Sequence, residues 1–337
     1  MVDQLIRSPG DPARAAGVPG GLAGWADVTG RPTDLTRRAA LRAGALAVLA
    51  VPLAACGPGY DESPDPLQPL LAAAEADAAA ARALAKGDDA DAAGQLADAR
   101  AAHAAALKSE VDRLNRPKPP ASPTPPAPAG LGDLKERLAT ARKQAEDLVG
   151  GLPRYRAGLV AAVAAGCGAL QRTAPALGPG EDAPAPAGTT AAVPAEAVDP
   201  LQTALAAEHA AVWVYGLVSA FLPGDFGDAE KAGAAEHAVR RDLLQTMLSA
   251  SGATPVAPEA AYVPKKPVTD AKSASLVVAT AEADCASAWL AVVNHTDDAA
   301  LRTTALHAFV AASRRGTPWR SEAGEKPVAI AMPGQAS

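Results

Sequence analysis

Asp65-Pro66-Leu67-Gln68 recurs letter for letter as Asp199-Pro200-Leu201-Gln202, and the same offset of 134 residues carries His103, in Ala-Ala-His-Ala, onto His237, in Glu-His-Ala. Two matches at one offset, one opening and one centring a similar stretch, make the chain beyond residue 64 a tandem of two like units. What each unit is built from follows from its residues. Hydrophobic residues are 49% of the 337, mostly alanine; aromatics are 3%, and the 31 prolines fall mainly in a few clusters between alanine-rich stretches. Alanine has the highest helix propensity, and a sheet would want more Val, Ile, Thr and aromatic residues. The expected fold is all-α, with helices joined by stiff linkers.

Each unit reads as four helices with its longest connection in the middle. The first spans 65–177, with helices over about 66–86, 90–116, 131–149 and 153–174 and a Pro-rich stretch, 117–128, between the second and third. A linker at 178–197 leads to the second, 198–317, with helices over about 199–221, 226–251, 270–294 and 297–315 and a Pro-containing crossover at 253–267. Asp-Pro at each start predicts a capping aspartate followed by proline at the first helical position, where its missing N–H is no loss. Two tandem four-helix bundles result. One long crossover between helices two and three is the ferritin-like connectivity, whereas up-and-down bundles use short loops throughout. Residues 318–337 are expected to be a tail.

The opening residues predict where the protein works. Thr36-Arg37-Arg38-Ala39-Ala40-Leu41 precedes an uncharged apolar run, 43–51, and then Leu53-Ala54-Ala55-Cys56-Gly57. Paired arginines, a short hydrophobic segment and a small-residue cleavage site are the parts of a secretory signal, and the run is too short to span a bilayer. The twin Arg37-Arg38 points to the folded-protein export route. Leu-Ala-Ala-Cys resembles the lipobox of bacterial lipoproteins, in which the cysteine is diacylated and becomes the new N-terminus. On this reading 1–55 are leader and signal peptide, with translation starting at Met1 or nearer Val28, and 56–64 are a lipidated tether. The protein then sits on the outer face of the cytoplasmic membrane, held by acyl chains at about 0.8 kcal/mol per buried methylene. Lipid on Cys56 leaves Cys167 and Cys285 in an oxidising compartment, which allows a disulfide but does not require one. A net charge of -6 argues against a nucleic-acid partner. No nucleotide-cradling glycine loop, nucleophile motif or Cys-x-x-Cys pair occurs, so hydrolase, kinase and redox classes lack support.

Leu205-Ala-Ala-Glu208-His209-Ala-Ala-Val212, Glu236-His237 with Arg240-Arg241-Asp242, and the crossover at 262–267 resemble the ferritin-like domain of unknown function found in actinobacterial lipoproteins. The resemblance covers 198–316, and the first unit resembles, more loosely, the region preceding that domain. Helical spacing aligns Leu201, Leu205, Glu208, Val212 and Tyr215; Glu236, Val239, Leu243 and Met247; and Val278, Glu282, Cys285, Trp289 and Val292. Three helices thus aim a glutamate inward. Di-iron carboxylate bundles use one Glu from each of two helices and Glu-x-x-His from each of the others. Glu208 and Glu282 fit the single-Glu positions. Glu236-x-x-Val239 lacks the His, and Thr304-x-x-His307 lacks the Glu.

Four of six ligands leave two readings. One is a remnant or mononuclear iron or manganese site of Glu208, Glu236, Glu282 and His307. The other, favoured because the missing His and Glu are what hold a second metal, is a metal-free polar network pairing those glutamates with His237, Arg240 or Arg241, since a buried carboxylate must be paired or protonated. Neighbouring helical residues point about 100° apart, so His209 and His237 are expected at flanking, half-exposed positions where they join that network, unless they converge on one ion. In the first unit, Glu75 and His103 are expected in solvent. Trp213, Trp289 and Trp319 read as packing residues. The expected function is a non-catalytic, membrane-anchored envelope protein that binds or scaffolds, with an envelope protein or a second copy as partner; the alternative is a metal-handling protein.

Overall fold

Where a side chain can close a helix start, the chain uses it. Asp270 accepts from the Ser273 amide at 2.8 Å while the Ser273 hydroxyl accepts from the Asp270 amide at 3.0 Å, and Asp298 accepts from the Leu301 amide at 2.7 Å. These caps open the last two helices of a computed structural model that describes residues 63–120, 126–180 and 192–335. The predicted export signal at Arg37 and Arg38 and the lipidation site Cys56 lie outside the described residues. Among those described there are eight α-helices and no strand, so the chain is all-α: α1 (Gln68–Leu84), α2 (Ala90–Leu114), α3 (Gly132–Val149), α4 (Arg154–Leu170), α5 (Val198–Val218), α6 (Gly227–Ala250), α7 (Ala271–His295) and α8 (Ala299–Glu322).

Helices α1 and α2 pack together, as do α3 and α4, and α1 with α3 and α2 with α4 join those pairs. In the second half α5 packs on α6 and α7, and α7 on α8. The halves share a core: α4 lies against both α7 and α8, and from Pro64 onward the helices form one compact unit. The sequence of α4 explains this. From Arg156 to Leu170 it is buried at every position but Leu159, as a helix apolar all round must be. Gly158 and Gly168 let Asn294 of α7 and Arg314 of α8 approach where a Cβ would collide with them. Helix α7 alone among those described is long and apolar enough to cross a membrane, and it lies with its apolar residues against α5, α8 and α4.

Because alanine is short, arginines fill space between these helices. Arg302 of α8 donates to the carbonyls of Val149, Gly150 and Leu152 at 3.2, 3.3 and 2.7 Å, closing the C-terminal end of α3. Arg156 of α4 reaches both oxygens of Asp65 at 2.7 and 2.8 Å.

Three expectations change. Neither Asp-Pro acts as an N-cap: α1 begins at Gln68, with Asp65 accepting from the Leu67 amide at 2.9 Å, and α5 begins at Val198, before Asp199. Helix α8 runs through Pro318 to Glu322, past its predicted end at 315, and the following segment folds back instead of trailing away. There Gln95 accepts from the Val328 amide at 2.9 Å, and His103 lies 2.7 Å from the Ala331 carbonyl. Cys167 and Cys285 are both buried and free.

Candidate functional site

Each of the four helices in the second half sends one charged side chain to a common point: Glu208 from α5, His237 from α6, Glu282 from α7 and Arg315 from α8. The approach of α6 depends on Gly233, one turn before His237, where a Cβ would meet the Tyr215 ring. His237 lies 2.6 Å through Nδ1 from Glu208 Oε2 and 3.1 Å through Nε2 from Glu282 Oε1. Carboxylates only accept, so both ring nitrogens donate and the ring is an imidazolium. Trp289 Nε1 donates to the other oxygen of Glu208 at 2.6 Å, and the Tyr215 hydroxyl donates to Glu282 Oε1 at 2.6 Å. Arg315 donates to Glu282 through Nε at 2.5 Å and Nη2 at 3.2 Å, and through Nη1 to Glu236, whose other oxygen accepts from Arg240.

The centre is dry: Glu208, His237 and Glu282 have fully buried side chains. Burial alone would raise both carboxyl pKa values, but His237 with Arg240 and Trp289 outweighs it at Glu208, and Arg315 with His237 at Glu282, so both stay below the usual range. Burial alone would likewise discharge His237, yet Glu282 and Glu208 together raise its pKa. Burial and the Glu282 charge push the Tyr215 hydroxyl well up, keeping it a donor. Three carboxylates, Glu208, Glu236 and Glu282, thus face three cations, His237, Arg240 and Arg315.

Of the four residues expected to hold metal, Glu208 and Glu282 meet, while Glu236 and His307 do not join them. The phase of α6 is the reason for the first departure. His237 points inward, Val239 is 50% exposed and Glu236 is on the rim, so His237 is the core residue that the sequence placed on a flank. His307 is half-buried on the far face of α8, where its electrostatic neighbours are Glu146 and Arg142 of α3. His209 is also buried, 3.3 Å from the Val256 carbonyl of the crossover, and Arg241 pairs with adjacent Asp242 near the surface. Arg315, Tyr215 and Trp289 complete the network, although the sequence reading gave them no part in it.

These donors do not fit a pair of bridged metals. The positive groups of Arg315 and His237 already lie against the inward carboxylates. Glu208, His237 and Cys285 do place one ligand atom each within 4.8 Å of one another. A metal there would need a neutral imidazole and a thiolate. Burial with Glu208 and Glu282 pushes the Cys285 thiol well up, and the same carboxylates hold His237 charged.

The first half repeats part of this arrangement. His103, expected in solvent, is fully buried, and its Nδ1 lies 3.9 Å from Cys167 Sγ just as His237 Nδ1 lies 3.9 Å from Cys285 Sγ. Its surroundings reverse its charge: burial and the Arg100 guanidinium lower its pKa to about 3, so it is neutral, accepting from Arg100 at 3.0 Å and donating to Ala331. Arg100 in turn pairs with buried Asp77 at 3.0 Å.

Residues 200–337 match a family described as a domain of unknown function, DUF4439. A crystal structure of a conserved hypothetical protein from Mycobacterium tuberculosis is similar, at 34% sequence identity over 38% of this chain and 98% of that one, with a TM-score of 0.37. No curated protein matches the chain.

Proposed function

We propose that this chain, whose residues 200–337 are a DUF4439 domain, is an exported lipoprotein anchored through Cys56, and that its ferritin-like second half works by binding rather than by catalysis. One observation carries the second clause: His237 spends both ring nitrogens on Glu208 and Glu282, at 2.6 and 3.1 Å, in the space between inward carboxylates that ferritin-like bundles give to metal. A buried, charge-balanced network of this kind holds four helices in register and keeps the neighbouring Cys285 a neutral thiol. Anchoring rests on the signal and lipobox at Arg37, Arg38 and Cys56.

Metal analysis of the full chain, purified with ferrous iron or manganese, tests the binding clause. Substoichiometric metal and full helicity are expected. Stoichiometric metal that disappears in Glu208→Ala and His237→Ala would replace this reading with the metal-handling one, for which the proximity of Glu208, His237 and Cys285 is the supporting observation. Mass spectrometry of the native protein tests the anchor: a diacylated Cys56 as first residue is expected, and a free thiol behind an intact leader would refute it.

A further inference from the structure

Helices α6 and α8 flank the network, and the close packing in this half is of α5 with α6, α5 with α7 and α7 with α8. The ion pair of Arg315 with Glu236 joins α8 to α6. On the solvent side of that pair lies a cleft of about 270 Å³. Ala229 and Ala232 of α6 and Ala311 of α8 leave the space open, and Phe226, Pro318 and Trp319 form its apolar end. The Phe226 ring stacks on Trp319 with centroids 5.6 Å apart. Trp319 in turn meets edge-on the Tyr215 ring that donates to Glu282. One cleft thus joins an aromatic platform to a charged pair that seals the buried network.

We infer that this cleft binds a small amphipathic anion: one ring or a short branched apolar body carrying a carboxylate, with the carboxylate at the Arg315 end. The inference gives the binding reading above its ligand class and rests on it. Net charge at this end selects an anion: three guanidiniums, Arg172, Arg314 and Arg315, line the cleft against two carboxylates, Glu236 and Glu322. Glu236 is shared between two guanidiniums and is 39% exposed, so an incoming carboxylate can join or displace it. The volume is at the lower edge of the roughly 300–1,000 Å³ typical of ligand sites, which limits the ligand to a single ring with a short chain.

Calorimetric titration of the full chain with 3-phenylpropanoate, its neutral amide and the cation 3-phenylpropylamine tests this. The acid is expected to bind saturably at one site. The amide and the amine should each bind roughly tenfold more weakly or worse, the loss of one charge-assisted hydrogen bond. Ala229→Trp and Ala232→Trp, at exposed positions, should block the cleft and abolish the acid's binding with helicity and melting unchanged. Absence of saturable binding, equal binding of the three probes, tighter binding of the amine, or binding indifferent to both tryptophans would each overturn the inference. Failure here leaves the metal analysis untouched, and stoichiometric metal would sink the salt-bridged reading whatever the cleft binds.

Discussion

Replacing Arg315 with methionine removes the cation that reaches Glu282 from α8 while keeping most of the side chain's volume. Glu282 is fully buried and takes two of its hydrogen bonds from this guanidinium, which is itself 15% exposed. Breaking a buried pair from one side costs about 3–5 kcal/mol, because a charge is stranded in the interior. His237 and Tyr215 still donate to Glu282, which puts the expected loss near the lower figure. Glu236 loses a partner too, but it is 39% exposed and keeps Arg240, so it adds at most about 1 kcal/mol. The net expectation is about 3 kcal/mol. In urea titrations followed by circular dichroism this appears as a lower midpoint at unchanged slope, and in melting as a drop of about 4–6 °C, since a chain of 337 residues shifts by about 2 °C or less per kcal/mol. Adding Glu282→Gln removes the stranded charge, so the double variant should be more stable than the two single losses sum to. A loss under about 1 kcal/mol for Arg315→Met, or strict additivity in the double variant, would refute the claim that these charges are coupled in a dry site.

The network also fixes the direction of pH dependence. Burial lowers the His237 pKa and Glu282 and Glu208 more than restore it, so its folded value lies above 6.5; the stability it contributes is complete below pH 6.5 and is lost as pH rises through that value. Glu208 and Glu282, held below 4.5, contribute stability that is present above pH 4.5 and lost as pH falls. Denaturant titrations across pH should therefore show a decline above pH 6.5 that His237→Gln removes; an identical decline in that variant would count against the assignment. Arg302→Met should cost about 3 kcal/mol, since it orphans several buried carbonyls at about 1–3 kcal/mol each, whereas Arg82→Met, which breaks an exposed pair with Asp98, should cost under about 1 kcal/mol; equal urea midpoints for the two variants would contradict this. Gly166→Ala places a methyl against the Ala331 carbonyl and the His103 ring, so limited proteolysis should cut within 326–335 faster while α1 to α8 stay protected; unchanged cleavage would show the segment is held by other contacts.

Helix positions were legible because proline clusters and alanine runs punctuate the chain sharply, and the stripes of α5 and α7 place Glu208 and Glu282 inward, where they are found. The α6 stripe misled for a definite reason. Leu243-Leu244 and Met247-Leu248 are adjacent apolar pairs that serve two phases equally well, and the deciding contact, Gly233 beneath Tyr215, is tertiary. His103 and Arg100 went unrecognised as core residues because an alanine-rich helix offers no contrast between its faces. The six buried arginines among the described residues, Arg100, Arg142, Arg156, Arg240, Arg302 and Arg314, have the same origin: short side chains leave gaps between backbones that only a long side chain from a neighbouring helix can fill, and no pattern along one helix reports what its neighbours lack. Arg315 escaped notice because it fell at the predicted end of a helix that continues past it.

The bond from His103 to Ala331 joins residues 228 positions apart. A ribosome therefore releases α2 long before the group that covers its histidine exists, and the first half waits, with an open seam, for the final stretch of synthesis. Damage around Ala331 would therefore uncover His103 of α2, 228 positions earlier in the chain.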